Sequence, residues 1–311
     1  MELLTGLFVQ PFLDIASSWP FFAEVVIGGL LTGVMYSLVA LGFVLIFKAS
    51  GVFNFAQGSM VLFAALTLVG LTEHGLPEWL AIVLTLVVMV VLAYGVERLM
   101  LRPLVNQEPI ILFMATIGLN FVLEGSGQIA WGSNVKELNV GIPDKSFMVT
   151  GVMLNQFDLY AAVIAAILVV LLAIFFQKTT IGRALRAVAD DHQAALSVGI
   201  PLKTIWVIVW SVAGAVALVA GIMWGAKSGV QFSLSLIALK ALPVLILGGF
   251  TSVPGAILGG LIIGVGEKVA EVYWGPLFGG AIENWFAYML AMVFLFFRPQ
   301  GLFGERIIER V

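Results

Sequence analysis

QKTTIGRALRAVADDHQAALSVGIPLKT, residues 177–204, is the one long polar segment in a chain whose other stretches are overwhelmingly apolar. It carries Lys178, Arg183, Arg186 and Lys203, with Asp190, Asp191 and His192 among them. Before it runs YAAVIAAILVVLLAIFF, 160–176, and after it IWVIVWSVAGAVALVAGIMWG, 205–225. Crossing about 30 Å of hydrocarbon takes about 20 apolar residues, so each flank reads as a membrane span. Over all 311 residues, 61% are hydrophobic and 11% charged, where soluble domains have about 45–50% and about 25%. The chain is therefore read as a multi-pass membrane protein.

Segmenting on span length predicts nine helices, at 22–47, 52–71, 79–97, 110–131, 158–176, 205–225, 237–250, 255–273 and 280–297. An outside N-terminus puts Lys48, Arg98, Arg102, Lys178, Arg183, Arg186, Lys203, Arg298, Arg306 and Arg310 inside. Lys136, Lys145, Lys227, Lys240 and Lys268 then fall outside or near outer ends. Basic residues collect on the cytoplasmic side, so the N-terminus is expected out and the C-terminus in. No Lys or Arg precedes Lys48, which argues against a cleaved signal peptide. Pro243 is the one proline inside an expected span. It marks 237–250 as a broken or re-entrant helix, tolerable where neighbouring protein or water satisfies the freed backbone.

Enzymatic readings find no support. The two histidines, His74 and His192, fall in loops on opposite sides of the expected membrane and cannot share one acid–base or metal site. GIMWGAKS, 221–228, has Ala226 where a phosphate loop needs glycine before its lysine, so the chain itself is not expected to bind ATP. A net charge of -3 gives no footprint for nucleic acid, and no cysteine is present for disulfides or thiolate metal sites.

Glycines spaced four apart, at 29 and 33, 221 and 225, 255 and 259, and 260 and 264, place small faces where helices approach closely or line a path. Polar residues within spans are costly and face the bundle interior or water, which makes Asn54, Gln57, Asn120 and Glu124 translocation-path candidates. Glu267, Lys268 and Glu271 lie near an outer end and read as a snorkelling interfacial cluster rather than a relay. Within 177–204, a proline-free helix is expected from Ile181 to Ala195, with Gly199 and Pro201 as its stop. The small apolar run AALSVGI, 194–200, suits insertion into a groove on a soluble cytoplasmic partner, with Ala194, Ala195 and Leu196 as contacts.

GRALRAVADDHQAALSVGI resembles the cytoplasmic coupling segment of the permease subunits of branched-chain amino-acid ABC transporters, a family that includes urea and short-amide systems. GVMYSLVALGFVLIFKASGVFNFAQGSMVLFAA, 33–65, is similar as well, its NFAQG resembling an NFAHG-type signature with Gln57 in the histidine place. LGGFTSVPGAILGGLIIGVGE, 247–267, and FRPQGLFG, 297–304, continue the likeness, and the length suits the shorter of the two permeases such systems pair. The resemblance implies an all-α, polytopic helical bundle of about 8–10 spans, type II ABC importer-like. It would form a single permease domain over 1–311 in a bacterial inner membrane. It implies a homologous second permease subunit, two cytoplasmic ATPase subunits that use ATP-Mg, a periplasmic solute-binding protein, and no cofactor bound directly. Arg183, Arg186, Asp190, Asp191, Ala194, Ala195, Gly199 and Ile200 match the motif expected in the ATPase cleft. By topology, the outer loop 132–157, with Lys136, Glu137, Asp144 and Lys145, would meet the loaded binding protein. The alternative is an ion-coupled transporter or channel acting alone through Glu124 or Glu267, which needs inverted repeats and discontinuous helices.

Overall fold

Uninterrupted apolar sequence folds as helix here because a backbone inside hydrocarbon must satisfy its own N–H and C=O groups. A computed structural model of the protein describes residues 8–104, 107–143, 145–190, 195 and 197–304, without the side chains of 189 and 190. The short lead-in α1 (Gln10–Ser17) precedes α2 (Trp19–Ser50), α3 (Gln57–Glu73) and α4 (Glu78–Val96), which runs into a π turn at Glu97–Leu101. α5 (Pro109–Trp131) leads to a hairpin of β1 (Ser146–Val149) and β2 (Val152–Asn155), then to α6 (Gln156–Lys178) and α7 (Thr180–Asp190). α8 (Leu202–Ser228), a 3-10 turn at Phe232–Leu236, α9 (Ile237–Gly248), α10 (Val253–Tyr273), α11 (Gly275–Phe278) and α12 (Glu283–Phe297) complete the order.

All nine expected apolar segments are helical, yet among the described residues only six helices are long enough to cross alone: α2, α4 with its π turn, α5, α6, α8 and α10. The other three, Gln57–Glu73, Phe232–Gly248 and Glu283–Phe297, are shorter. The nine expected segments are thus nine apolar helices, three of them shorter than expected, and the reason is local. Residues 52–56 are not helical, so the second segment starts at Gln57 rather than 52. The seventh is entered through the 3-10 turn, and the last through Gly279, Gly280 and Ala281, all with positive φ.

Two compact units divide the contacts. The described residues up to Ser37, those from Gly141 to Ala166 and those from Lys240 onward form one; Leu38–Val140 and Ile167–Leu239 form the other. In the first unit α10 packs on α12 and α11, and Leu302 N and Phe303 N return to donate to the Leu247 and Gly248 carbonyls at the end of α9. Its hairpin pairs Ser146 with Asn155 through Val149 with Val152, around a two-residue turn in which Thr150 and Gly151 have φ 51° and 89°. Both signs suit the type I′ turn that twists with its strands.

In the second unit α3 is the axis, buried from Gln57 to Gly70 except at Phe63 and packed by α4, α5, α8 and the 3-10 turn. The Trp206 indole donates to the Ala49 carbonyl at 3.2 Å, satisfying the last turn of α2. Outward faces of α4 and α5 remain apolar, with Val87, Val91, Phe121 and Val122 exposed as lipid contacts require.

Candidate functional site

Two places in the second unit bring the singled-out residues together, and the first is the polar segment. Thr179 starts it as a cap: its hydroxyl donates to the Phe175 carbonyl at 2.6 Å and accepts from Gly182 N at 3.0 Å, so α6 ends and α7 begins around one side chain. Gly182 is required there, because a Cβ would strike the Phe175 and Phe176 carbonyls. Leu185 and Val188 are buried, and α7 packs against α8, while Arg183 stays exposed. The Arg186 guanidinium turns back and donates to the Phe176 carbonyl, an orphan acceptor at the end of α6.

The expected helix over 181–195 is described from Thr180 to Asp190, and the segment closes at Gly199, φ 85°, where Ile200 N donates to the Ala195 carbonyl at 3.0 Å. Asp191, Ala194 and Leu196 lie outside the described residues, as does the side chain of Asp190. Ala195, an expected partner contact, is only 3% exposed, whereas Val198 is 79% exposed and Gly199 also faces out. Among the described residues of the segment, the exposed ones include Lys178, Arg183, Val198, Gly199 and Lys203.

At the second place, helix breaks meet. α3 and α5 run side by side in the same direction at a constant offset: Phe55 meets Thr116 and Ser59 meets Asn120, each pair 61 residues apart. Trp131 covers Gly70 at the same offset. The non-helical stretch 52–56 therefore lies beside the body of α5, at membrane depth, where its backbone needs protein partners. Thr116 supplies them. Its hydroxyl accepts from Phe55 N at 3.0 Å and lies 2.8 and 3.2 Å from the Phe113 and Phe53 carbonyls, while the Asn54 side chain accepts from Ala56 N at 3.1 Å. Thr116→Val keeps the volume but orphans the Phe55 donor, which is expected to cost about 1–3 kcal/mol. A lowered thermal midpoint of the detergent-solubilised protein would register it.

Asn54 and Gln57 are both fully buried; the Asn54 amide donates to Gln57 at 3.4 Å, and Gly42 leaves the room that the Gln57 amide fills. Gly58 has the Ser235 carbonyl of the 3-10 turn directly against it. One turn on, Ser59 donates towards both Asn120 and Glu124, the latter at 3.2 Å. Asn120 and Glu124 are half-buried, so of the four path candidates these two are joined at one accessible point.

Residues 25–298 match the family model described as branched-chain amino acid transport system / permease component. The chain belongs to this family. BraD, the high-affinity branched-chain amino acid transport system permease protein of Pseudomonas aeruginosa, is 28% identical over 305 residues, covering 93% of this chain and 98% of BraD. The corresponding LivH proteins of Escherichia coli and Salmonella typhimurium are 26% and 27% identical over 309 and 313 residues, each covering 94% of this chain and 98% of LivH.

Several charged residues of this permease do work that the sequence did not announce. Glu267, expected to snorkel at the interface, is instead 3% exposed in the first unit. Its Oε1 accepts from Lys240 Nζ at 2.6 Å and Tyr36 Oη at 3.3 Å, and Lys240 also donates to the Glu283 carbonyl at 3.2 Å. Packing of α10 against α12 turns Glu267 inward, so the snorkelling expectation is corrected. Neighbouring Glu271 accepts from Ala281 N and Glu283 N, both at 2.9 Å, capping the entry to α12. In the second unit Glu97, 1% exposed in the π turn, is held by Arg102 through Nε at 3.1 Å and Nη2 at 2.9 Å. Lys136 is paired with Glu73, which leaves Glu137 and Lys145 as the exposed charges of loop 132–157; Asp144 lies outside the described residues.

Proposed function

We propose that the chain is the membrane-spanning permease subunit of an ATP-driven importer for branched-chain or related amino acids. Family membership across 25–298 carries this reading, and it favours a permease over a self-sufficient ion-coupled transporter. ATP-Mg is bound and hydrolysed by two cytoplasmic ATPase subunits, while a second, homologous permease completes the membrane pair. A periplasmic protein delivers solute at the outer loop 132–157, which carries Glu137 and Lys145. The N-terminus is outside and the C-terminus inside, which sets the coupling segment in the cytoplasm.

Mechanically, a permease has no energy source of its own, so ATP supplies the free-energy difference between its inward-open and outward-open states. The geometry of α7 supports rigid transmission. Gly182 and the Thr179 cap seat α7 tightly on the end of α6, the Arg186 guanidinium clamps the same end, and Leu185 and Val188 tie α7 to the protein interior. A push on Arg183, Val198 and Gly199 therefore moves helix ends rather than a loose loop. Asn54, Gln57, Asn120 and Glu124 belong to the translocation region, with Asn54 and Gln57 fixing its backbone.

Uptake by proteoliposomes that hold the complete complex tests the proposal: it should stop when the ATPase subunits are omitted, and persistence would favour the ion-coupled alternative. Arg186→Glu sets a carboxylate against the Phe176 carbonyl, and Gly199→Val forces a β-branched residue to positive φ. Both variants are expected to reach the membrane yet lose uptake by about tenfold or more, a change of about 1.4 kcal/mol or more in coupling. Undiminished uptake by both would remove the coupling assignment.

A further inference from the structure

Asn120 is the twelfth of the 23 residues of α5, and Glu124 lies four residues on, so at 1.5 Å per residue its Cα sits about 6 Å along the axis from the middle of the helix. A carboxylate on a partly exposed residue at that depth cannot face lipid, where a charge costs about 2.5–3.5 kcal/mol or more, and so faces a watery path or another protein surface. Neither α3 nor α5 contains Lys, Arg or His, and no ion pair found among the described residues involves Glu124.

Hydrogen-bond arithmetic leaves the same point short of donors. The Ser59 hydroxyl has one hydrogen and two acceptors beside it, Asn120 Oδ1 and Glu124 Oε1. Turning the Asn120 amide over lets its nitrogen donate to Ser59 and Ser59 donate to Glu124, but the second Glu124 oxygen has no hydrogen-bond partner among the described residues. The cluster is an acceptor-rich, negatively charged spot between α3 and α5, one turn past the helix break. Three oxygens from Ser59, Asn120 and Glu124 converge there, and an ammonium group brings three N–H donors and one positive charge.

We infer that Glu124, assisted by Asn120 and Ser59, receives the α-ammonium group of the amino acid as it passes, making this point a charge filter for zwitterions over neutral or anionic solutes. This deepens the permease reading and rests on it. A single carboxylate on a partly exposed residue holds an ammonium only weakly, so the filter admits solute without trapping it.

ATP-driven uptake of L-leucine by the reconstituted complex, with its binding protein, is the test. Glu124→Gln, which keeps shape and removes charge, is expected to lower uptake by about tenfold, about 1.4 kcal/mol, while subunit composition and binding-protein-stimulated ATP hydrolysis stay unchanged. Glu124→Asp, which keeps the charge, is expected to retain most of the uptake, and Ser59→Ala, which removes one assisting oxygen, to lose clearly less than Glu124→Gln. The inference fails if Glu124→Gln transports like wild type, or if Glu124→Asp loses as much as Glu124→Gln. It fails equally if Ser59→Ala matches that loss, since the hydrogen bond alone then explains it, or if Glu124→Gln sheds the second permease subunit, since the carboxylate then belongs to that contact. Failure of the wild-type complex to move leucine, isoleucine or valine strikes the proposed function itself, and this inference with it.

Discussion

Gly264→Leu is expected to leave no folded protein in the membrane, and Gly33→Leu to do the same. The two four-spaced glycine pairs 29/33 and 260/264 pack on each other, bringing α2 and α10 together backbone to backbone. A Cβ at Gly264 would lie 2.6 Å from Gly33 N and closer still to the Gly29 carbonyl; one at Gly33 would lie 2.5 Å from the Gly260 carbonyl and 3.0 Å from the Leu261 Cα. One at Gly29 would come within 2.7 Å of the Val265 Cα. Overpacking costs about 1–3 kcal/mol when side chains can move aside. Here the obstacles are main-chain atoms on both helices, so the helices must separate and the cost exceeds that range. Gly28 is the control, since nothing lies within 4 Å of the Cβ it would gain, and Gly28→Leu should accumulate normally. Membrane abundance and monodispersity in detergent read the difference; normal abundance of Gly264→Leu would refute the packing.

What the sequence discloses about this permease follows the range of the interactions involved. Glycines four apart are visible as spacing, because a helix face repeats locally, yet which face meets which is not: the partner of 29/33 lies more than 220 residues away. The polar segment 177–204 is equally legible, since lipid would reject it, and its stop at Gly199 follows from the positive φ that glycine alone adopts freely. Inside that segment, burial of Ala195 and the inward turn of Arg186 depend on how α7 seats on α6 and α8, which composition does not encode. The break at 52–56 was hidden for a similar reason. Its residues are apolar enough to pass for helix, and the side chain that makes the break tolerable, Thr116, arrives from another span.

Charge pairing was the least legible layer. Glu267 is bracketed by Gly266 and Lys268, and near a span end that pattern suggests an interfacial cluster. Only the approach of α9 and α2 supplies Lys240 and Tyr36 and converts it into a buried pair. Glu97 with Arg102 offered more, because their five-residue spacing matches the π turn that brings them together. Charges inside apolar spans are costly enough that each has a reason, either a countercharge within the fold or a task. Glu97 and Glu267 have the first. Glu124 has no countercharge among the described residues, which is what singles it out for the ammonium-binding role proposed above.

The buried pair itself yields an asymmetric prediction. Its side chains are unequally accessible, Lys240 at 21% and Glu267 at 4%. Removing one partner of a buried ion pair costs about 3–5 kcal/mol because the other is left desolvated and uncompensated. Lys240→Met strands the Glu267 carboxylate, whose Oε2 has no hydrogen bond among the described residues and whose Oε1 keeps the Tyr36 hydroxyl, so it should show the full cost. Glu267→Gln leaves an ammonium that reaches water and keeps the Glu283 carbonyl, so its cost should be smaller. The double variant Lys240→Met with Glu267→Leu removes both charges and should recover most of the loss, since an apolar pair of similar volume replaces an ion pair nearly neutrally. Thermal midpoints of the purified complex give the order: double variant nearest wild type, Glu267→Gln next, Lys240→Met lowest. Additive losses in the double variant would mean the two residues do not act as a pair, and the junction of α2, α9, α10 and α12 would then depend on packing alone.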